Sequence, residues 1–264
     1  MTTVNDILLY LETLSPSSTK MEWDHVGLLC GSRNQPVHKI LVALDPFMDV
    51  CREAACIGAD LIVTHHPLIF QPIHSVTDET ATGRTLLFLA AHGISAVNAH
   101  TNLDCAPGGV NDVLARKLGL ENIQVVSPIG TDSQGEHWGL LRMGSVNRQP
   151  LELFLAHVKS SLDCPGLRYI DGGKPVSRVA VGGGACGNEM SEAVNAGCDT
   201  FVTADVKYNQ FWDAKELGLN LIDAGHFYTE NPICAVLAAQ LQANFPDLTV
   251  AVSQNHTDCA KFFL

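Results

Sequence analysis

The chain has 264 residues, of which 46% are hydrophobic, and this is enough for two domains with buried cores. Its formal net charge of −12 disfavours nucleic acid and anionic membrane surfaces as partners, and its apolar runs are too short to span a bilayer. Nine cysteines without a C-x-x-C pair exclude a zinc ribbon and favour free thiols in a reducing cytoplasm.

Predicted helices and strands alternate along the first half of the chain. Apolar residues at helical spacing within residues 4–11 predict an amphipathic helix rather than a signal peptide. The runs KILVALD, DLIVTHH and ISAVNAH predict strands, with helices near residues 51–57 and 85–91 between them. This order is the βαβ pattern of a largely parallel sheet, so the predicted fold class is α/β.

The second half of the chain resembles the first. A shift of 139 positions places residues 53–66 over residues 192–205 with six identities in 14 positions. HGISAVNAHTNLD resembles LGLNLIDAGHFYTE under a slightly smaller shift. We expect two similar βαβ-based units from an internal duplication, with mixed or parallel sheets flanked by helices, although any two such units can share the glycine of a helix-to-strand turn. The predicted domains are residues 1–128 and 129–264, with a Gly/Pro/Ser-rich linker at residues 127–136.

Five side chains that can bind metals lie at or just after predicted strand ends: His65, His66, Asp104, His226 and Glu230. Functional groups collect beyond the carboxyl ends of parallel strands. Pro67 ends its strand, and a turn there can direct two adjacent histidines to different ions. Three imidazoles and two carboxylates suit two zinc, iron or manganese ions if Asp104 or Glu230 bridges them. Such a centre favours metal-assisted hydrolysis, with His100 as a proton carrier or as an orienting residue.

The motifs around these residues resemble a known family, the Nif-three-like dinuclear-metal proteins, also called GTP cyclohydrolase I type 2 homologues. The matching stretches are EWDHVGLLCG, THHPLIF, HTNLD with GGVND, RVAVGGGACG and DAGHFYTE, in this order over nearly the whole chain. The resemblance implies that His65, His66, Asp104, His226 and Glu230 are the metal ligands. It also implies a short form without an inserted domain, a toroidal homohexamer with metal sites facing an internal cavity, and a nucleotide-like or other small-molecule substrate.

Two stretches depart from the family pattern. His25 is found where the family usually has Asn, and Ala204 and Asn209 are found where Gly and His are usual. If the usual His takes part in proton transfer, we expect the activity of this chain to be altered. The five presumed ligands are intact, so metal binding is still expected.

Two other functions fit parts of the sequence. Gly182, Gly184 and Gly187 form a G-x-G-x-x-G after the strand RVAV, as in dinucleotide-binding oxidoreductases. The repeat explains these glycines as a tight strand-to-helix turn, so a nucleotide cofactor is not expected. A non-enzymatic metal store, metal chaperone or regulatory scaffold would use the same five ligands without turnover. The other histidines, including His256, are expected to be solvated or structural.

Overall fold

The structure is a computed structural model and describes residues 1–131 and 135–263. Its α-helices are α1 (Val4–Leu14), α2 (Met48–Ile57), α3 (Ala81–His92), α4 (Thr101–Cys105), α5 (Val110–Lys117), α6 (Leu151–Leu162), α7 (Met190–Asn195), α8 (Tyr208–Leu217), α9 (His226–Glu230) and α10 (Pro232–Asn244). Its strands are β1 (Gly27–Cys30), β2 (Lys39–Ala43), β3 (Leu61–Thr64), β4 (Ser95–Asn98), β5 (Glu121–Val126), β6 (Gly130–Thr131), β7 (His137–Trp138), β8 (Leu141–Gln149), β9 (Arg168–Ile170), β10 (Val176–Val181), β11 (Thr200–Thr203), β12 (Asn220–Asp223) and β13 (Thr249–Val252). Within the described ranges, no helix is long and apolar enough to cross a membrane.

The described chain divides into two compact units whose limits differ from the predicted boundary after residue 128. The first unit comprises Met1–Leu103 and Ile233–Thr257, and the second comprises Asp104–Pro232 and the residues from Asp258 onward. Residues 233–257 belong to the first unit because β13 pairs in parallel with β2. The predicted linker, residues 127–136, belongs to the second unit, and its residues 132–134 lie outside the described part of the chain.

The first unit is built on a five-stranded sheet in the order β1-β4-β3-β2-β13. Strands β13, β2, β3 and β4 are parallel, and β1 is antiparallel to β4 at the edge. Leu41, Ile62 and Ala96 share a buried cluster with Val50 of α2 and Leu89 of α3. Because side chains alternate between the faces of a strand, α2 and α3 cover one face of this sheet.

Helices α1 and α10 of the first unit pack side by side. The Tyr10 hydroxyl donates a hydrogen bond to the Gln240 carbonyl oxygen at 3.2 Å, and the Tyr10 ring meets the Phe245 ring edge-on at 5.6 Å. A capping box between Thr3 and Asp6 begins α1. The amphipathic N-terminal helix that the sequence predicts is thereby confirmed.

The second unit is built on a six-stranded sheet in the order β5-β8-β10-β11-β12-β9, of which β10, β11 and β12 are parallel. Val202 and Ile222 pack in a cluster with residues of α5 and α6. Their sequence neighbours Phe201 and Leu221 pack in a second cluster with residues of α7 and α8. Helices therefore cover both faces of this sheet, and the predicted α/β class with mixed sheets flanked by helices is confirmed.

Both units contain the same βαβαβ arrangement, with matching strand register. Ile40 of β2 lies opposite Leu61 of β3, and Val179 of β10 lies opposite Thr200 of β11, so both partners move by 139 positions (40 to 179 and 61 to 200). The shift found in the sequence therefore superimposes β2 and β3 on β10 and β11 residue by residue.

Asp60 and Asp199, which align in the repeat, have the same structural role. The Asp60 carboxylate accepts hydrogen bonds from the backbone N–H groups of residues 38 and 39, at the start of β2. The Asp199 carboxylate accepts them from the N–H groups of residues 177 and 178, near the start of β10. Each carboxylate, which precedes the middle strand of its unit, thus fixes the beginning of the neighbouring strand.

Candidate metal centre

Three histidines of the first unit, His65, His66 and His100, lie together where the parallel strands β3 and β4 end. One ring nitrogen from each lies within 4.8 Å of those of the other two. The ring centroids are 4.9 Å apart for His65 and His66, and 5.2 Å and 5.6 Å from these two rings to His100. Adjacent parallel strands end at the same edge of the sheet, which brings these side chains together. The structure thus places the two predicted histidines side by side and adds His100 to them, and this group could hold a metal ion.

The rings of His65 and His66 are oriented through their Nδ1 atoms. Nδ1 of His65 lies 2.9 Å from the carbonyl oxygen of Ala99, and Nδ1 of His66 lies 2.7 Å from Oδ1 of Asp45. A carbonyl oxygen and a carboxylate oxygen can only accept, so Nδ1 carries the proton in both rings. This tautomer makes Nε2 the candidate ligand atom, the arrangement that orienting groups produce at metal sites.

Asp45 also binds a second histidine. Nε2 of His256 lies 2.9 Å from Oδ2 of Asp45, so His256 is a structural residue with a specific partner rather than a solvated one. Burial raises the pKa of Asp45, but the hydrogen bonds from His256 and His66 outweigh this effect and hold the pKa well below its ordinary value. Asp45 is therefore a carboxylate that orients two imidazoles.

His100 is oriented by Asp24. Nδ1 of His100 lies 2.9 Å from Oδ1 of Asp24. The other carboxylate oxygen, Oδ2, accepts hydrogen bonds from the backbone N–H and the hydroxyl of Thr101 at 3.0 Å and 2.6 Å. Burial raises the pKa of Asp24, but these hydrogen bonds hold it well below its ordinary value. The carboxylate thus fixes the His100 ring and the start of α4 together.

The second unit contains His226 and Glu230 on α9, and Asp104 at the end of α4. Nε2 of His226 lies 3.0 Å from Oε2 of Glu230, one helical turn later. Oxygen atoms of Asp104 and Glu230 lie within 4.8 Å of each other, and both side chains are buried. The prediction that His226 and Glu230 share one helical face is confirmed. Asp104 does not cap α5, whose N-cap residue is Gly109.

Asp205, which follows β11, orients His226. Its Oδ2 lies 2.7 Å from Nδ1 of His226. Burial lowers the pKa of His226, but the hydrogen bonds with Asp205 and Glu230 outweigh this effect and raise the pKa to about 11. The hydrogen bond to His226 also lowers the pKa of Asp205. The two carboxylates therefore stabilise a positive charge at this ring, and a divalent cation at Nε2 would supply that charge in place of the Nε2 proton.

Because Gly184 has no side chain, the carboxylate of Glu230 can occupy the space beside it. A Cβ atom at Gly184 would lie 2.1 Å from Oε1 of Glu230 and 3.0 Å from Nε2 of His226. Gly182 and Gly187 are packed in the same way against side chains of their own unit. The glycines of the G-x-G-x-x-G are therefore required by the packing of this chain's own side chains.

Imidazole and carboxylate groups make up the candidate donor set, because nearby thiols are protonated. Burial raises the pKa of the Cys105 thiol to about 12, and it raises the pKa of Cys186 well above its ordinary value. A thiol binds metal as the thiolate, so these two cysteines are not candidate ligands at neutral pH. The remaining set of nitrogen and oxygen donors fits zinc, iron or manganese.

The three orienting carboxylates were the residues that the sequence did not reveal. Asp45 and Asp205 each follow a predicted strand, and this position was the signal that could have identified them. Asp24 lies next to Trp23, in a stretch for which the sequence predicted no role in orienting a histidine. Of the departures from the family pattern, Ala204 is buried and donates its N–H to the Gly184 carbonyl oxygen at 2.9 Å. Asn209 lies on the exposed side of α8.

Known proteins resemble this chain over nearly its whole length. Residues 2–259 match the family described as Duf34/NIF3 (NGG1p interacting factor 3). A Clostridium perfringens protein named GTP cyclohydrolase 1 type 2 homolog is 33% identical over 262 residues, which cover 98% of this chain and 99% of the relative. A solved structure of a Bacillus cereus protein related to NIF3 has a TM-score of 0.93 at 27% identity, covering 100% of this chain and 99% of that one. A solved structure of a Staphylococcus aureus hypothetical protein has a TM-score of 0.91 at 30% identity, covering 99% of both chains.

Proposed function

The chain belongs to the DUF34/NIF3 family, and we propose that it is a metal-dependent hydrolase in which His65, His66, Asp104, His226 and Glu230 bind two divalent cations. The observation that carries the proposal is the orientation of the three imidazoles. Each donates Nδ1–H to a carbonyl or carboxylate oxygen at 2.7 to 2.9 Å and so presents Nε2 as a ligand atom. A structural histidine does not require this shared tautomer.

The side chains of the proposed site would have different roles. Asp104 and Glu230 are buried carboxylates and would hold the cations together with the three imidazoles. His100, oriented at Nδ1 by Asp24, would carry a proton through Nε2, because its ring lies next to His65 and His66. Two bound divalent cations would lower the pKa of a bound water and polarise the bond under attack.

The substrate class is proposed from the relatives. Curated relatives are named GTP cyclohydrolase 1 type 2 homolog, so a guanine nucleotide is the first substrate to test. We propose a nucleotide-like or other small-molecule substrate for this chain. The three departures, His25, Ala204 and Asn209, are the positions at which its activity would differ from that of its relatives.

The experiment is elemental analysis of freshly purified protein together with a GTP turnover assay. We expect about two zinc, iron or manganese ions per chain and release of product by the loaded protein. His65→Ala should lose metal and turnover, whereas His92→Ala, which removes an exposed histidine of α3, should keep both. A content of one ion or none per chain would contradict the two-metal proposal. Two ions without turnover of GTP, a cyclic amidine or a phosphoester would instead favour a metal store, chaperone or regulatory scaffold.

We also propose that the chain forms a toroidal homohexamer and acts in the cytoplasm. The family resemblance supports the assembly, and the free, buried thiols of Cys51, Cys105 and Cys186 fit a reducing compartment. Light scattering during gel filtration should give a mass of about six chains, the closed symmetric assembly expected of a homo-oligomer.

A further inference from the structure

Two exposed aromatic side chains of the first unit, Trp23 and Phe70, lie next to each other. Trp23 is 57% exposed and Phe70 is 55% exposed, although both are large and apolar. Their ring centroids are 5.7 Å apart, with an angle of 55° between the ring planes. Together they form a continuous aromatic surface, and contiguous apolar surface of this kind marks binding sites more often than single exposed residues do.

The aromatic pair adjoins the histidine cluster. The His100 ring lies 5.8 Å from the Trp23 ring and 6.4 Å from the Phe70 ring, centroid to centroid, and both contacts are edge-to-face. His100 in turn contacts His65 at 5.2 Å and His66 at 5.6 Å. A molecule resting on the aromatic pair would therefore be one side chain away from the candidate metal ligands.

Both aromatic residues are anchored by a buried neighbour. Trp23 precedes Asp24, whose buried carboxylate binds Thr101 and His100. Phe70 follows Leu68 by two residues, and Leu68 packs in the hydrophobic core between the sheet and helices α2 and α3. The two rings are thus presented to solvent from fixed positions, and contact with a ligand would recover the free energy lost by their exposure.

We propose that Trp23 and Phe70 form a stacking platform for a planar heteroaromatic ring of the nucleobase type. The inference rests on the proposed function and extends it, because it assigns the part of the substrate that the metal ligands do not contact. An exposed indole face binds a flat, polarisable ring through stacking, and this interaction is available to every base. His100, edge-on to both rings, would then lie between the stacked ring and the candidate metal ligands.

Calorimetry on the metal-loaded full-length protein tests the platform. The probes are GTP, ATP and CTP, with inorganic triphosphate as a ligand that offers the same phosphates without a ring. We expect each nucleotide to bind more tightly than triphosphate. Trp23→Ala and Phe70→Ala should each weaken nucleotide binding about tenfold and leave triphosphate binding unchanged, because stacking on an aromatic side chain contributes this much per base.

Two further variants separate stacking from other effects. Trp23→Phe keeps an aromatic ring and should restore most of the nucleotide affinity. Trp212→Ala removes a similarly exposed indole, 51% exposed on α8 of the second unit, and should keep the wild-type affinity. Equal losses of nucleotide and triphosphate binding in Trp23→Ala would overturn the proposal. So would a change in the number of chains per particle in that variant, since it would assign the pair to a contact between copies.

The metal content of each sample distinguishes failure of this proposal from failure of the proposed function. If the wild type retains its metal but binds no nucleotide more tightly than triphosphate, the platform is excluded and the metal centre is not. If the wild type retains no metal, the proposed function fails. A nucleotide preference in that metal-free protein, lost in Trp23→Ala, would still support the platform, and its absence would overturn it.

Discussion

The two units use the same pairing of carboxylate and imidazole at different strands. In the first unit Asp45 follows β2 and binds His66, which follows the neighbouring strand β3. In the second unit Asp205 follows β11 and binds His226, which follows the neighbouring strand β12. Both pairs are 21 residues apart in sequence and 2.7 Å apart in space. Adjacent parallel strands end at one edge, so a carboxylate from one strand reaches an imidazole from the next.

The repeat aligns β2 and β3 with β10 and β11, but the carboxylate and imidazole of the second unit follow β11 and β12. We attribute this difference to the sizes of the side chains at the strand ends. Under the shift of 139 positions, Asp45 corresponds to Gly184 and His66 corresponds to Asp205. Glu230 occupies the space beside Gly184, so that strand end cannot hold a carboxylate of its own. The repeated scaffold therefore fixes the edge at which the carboxylate–imidazole pairs lie, and side-chain volume decides which pair of strands carries them.

The largest expected effect comes from filling the space at Gly184. In Gly184→Ala the new Cβ atom would lie 2.1 Å from Oε1 of Glu230, so the carboxylate must leave its position. The φ angle of +64° adds backbone strain for any residue with a side chain. We expect the loss of about one ion per chain and a decrease of about 1 to 3 kcal/mol in the free energy of unfolding. Elemental analysis and urea unfolding measure the two effects.

Gly173 of the same unit provides the matched control. It has a φ angle of +78°, but a Cβ atom there would meet nothing within 4 Å. Gly173→Ala should therefore show only the loss of stability that comes from backbone strain and should keep its full metal content. If Gly184→Ala also keeps its full metal content, the volume argument for the difference between the units is wrong.

The next largest effect concerns the two orienting carboxylates. Asp45→Asn and Asp205→Asn keep the size of the side chain but remove the charge that orients the imidazole and strengthens it as a ligand. We expect each substitution to weaken metal binding about 10- to 100-fold, the usual effect of losing such a partner. Competition with a chelating dye measures the affinity.

Asp49→Asn, at an exposed carboxylate of α2, should leave the metal affinity unchanged. The comparison between the units predicts losses of similar size in Asp45→Asn and Asp205→Asn. A loss confined to one of these variants would show that only one unit uses its carboxylate to support a ligand.

The sequence located the strands and hence the candidate ligands, because apolar runs and the strand-ending Pro67 are local signals. It did not identify the roles of Asp45 and Asp205. The role of each depends on which ring it meets 21 residues later, and this is decided by the order of strands in the sheet. The 139-residue shift was confirmed for β2 and β3 against β10 and β11, because the apolar runs that form these strands are repeated with the same spacing.

The division into units and the partner of His256 depend on contacts between distant parts of the chain. Thr249 of β13 lies opposite Lys39 of β2, a pairing that local composition does not encode. Because His256 follows β13, the pairing of β13 with β2 also brings His256 close to Asp45. A boundary placed by a Gly/Pro/Ser-rich segment could not anticipate either contact, because strand pairing rather than loop composition determines which segments fold together.

The smallest expected effect concerns Glu53 and Glu192, which are identical in the repeat but differ in use. The Glu53 carboxylate accepts hydrogen bonds from the Ser253 hydroxyl and from the N–H groups of Gln254 and Asn255, at 2.5, 2.8 and 3.1 Å. Burial raises the pKa of Glu53, but these hydrogen bonds outweigh it and lower the pKa below its ordinary value of 4.5. The stabilisation is therefore fully present above that value and is lost as the pH falls through the lower pKa of the folded state.

In Glu53→Gln we expect the free energy of unfolding to decrease by about 1 kcal/mol at pH 7, since partial exposure screens the charge. The difference from wild type should shrink as the pH falls below 4.5, where the wild-type carboxyl becomes protonated. Glu192→Gln is the control, because β10 pairs with β8 where β2 pairs with β13, so in the described part of the second unit β8 takes the place of the strand that leads to the segment Glu53 binds. Urea unfolding at several pH values measures both variants. Two outcomes would contradict the prediction: a loss of stability that does not depend on pH, or an equal loss in Glu192→Gln. Either would show that the charge of Glu53 does not hold the segment after β13 in the first unit.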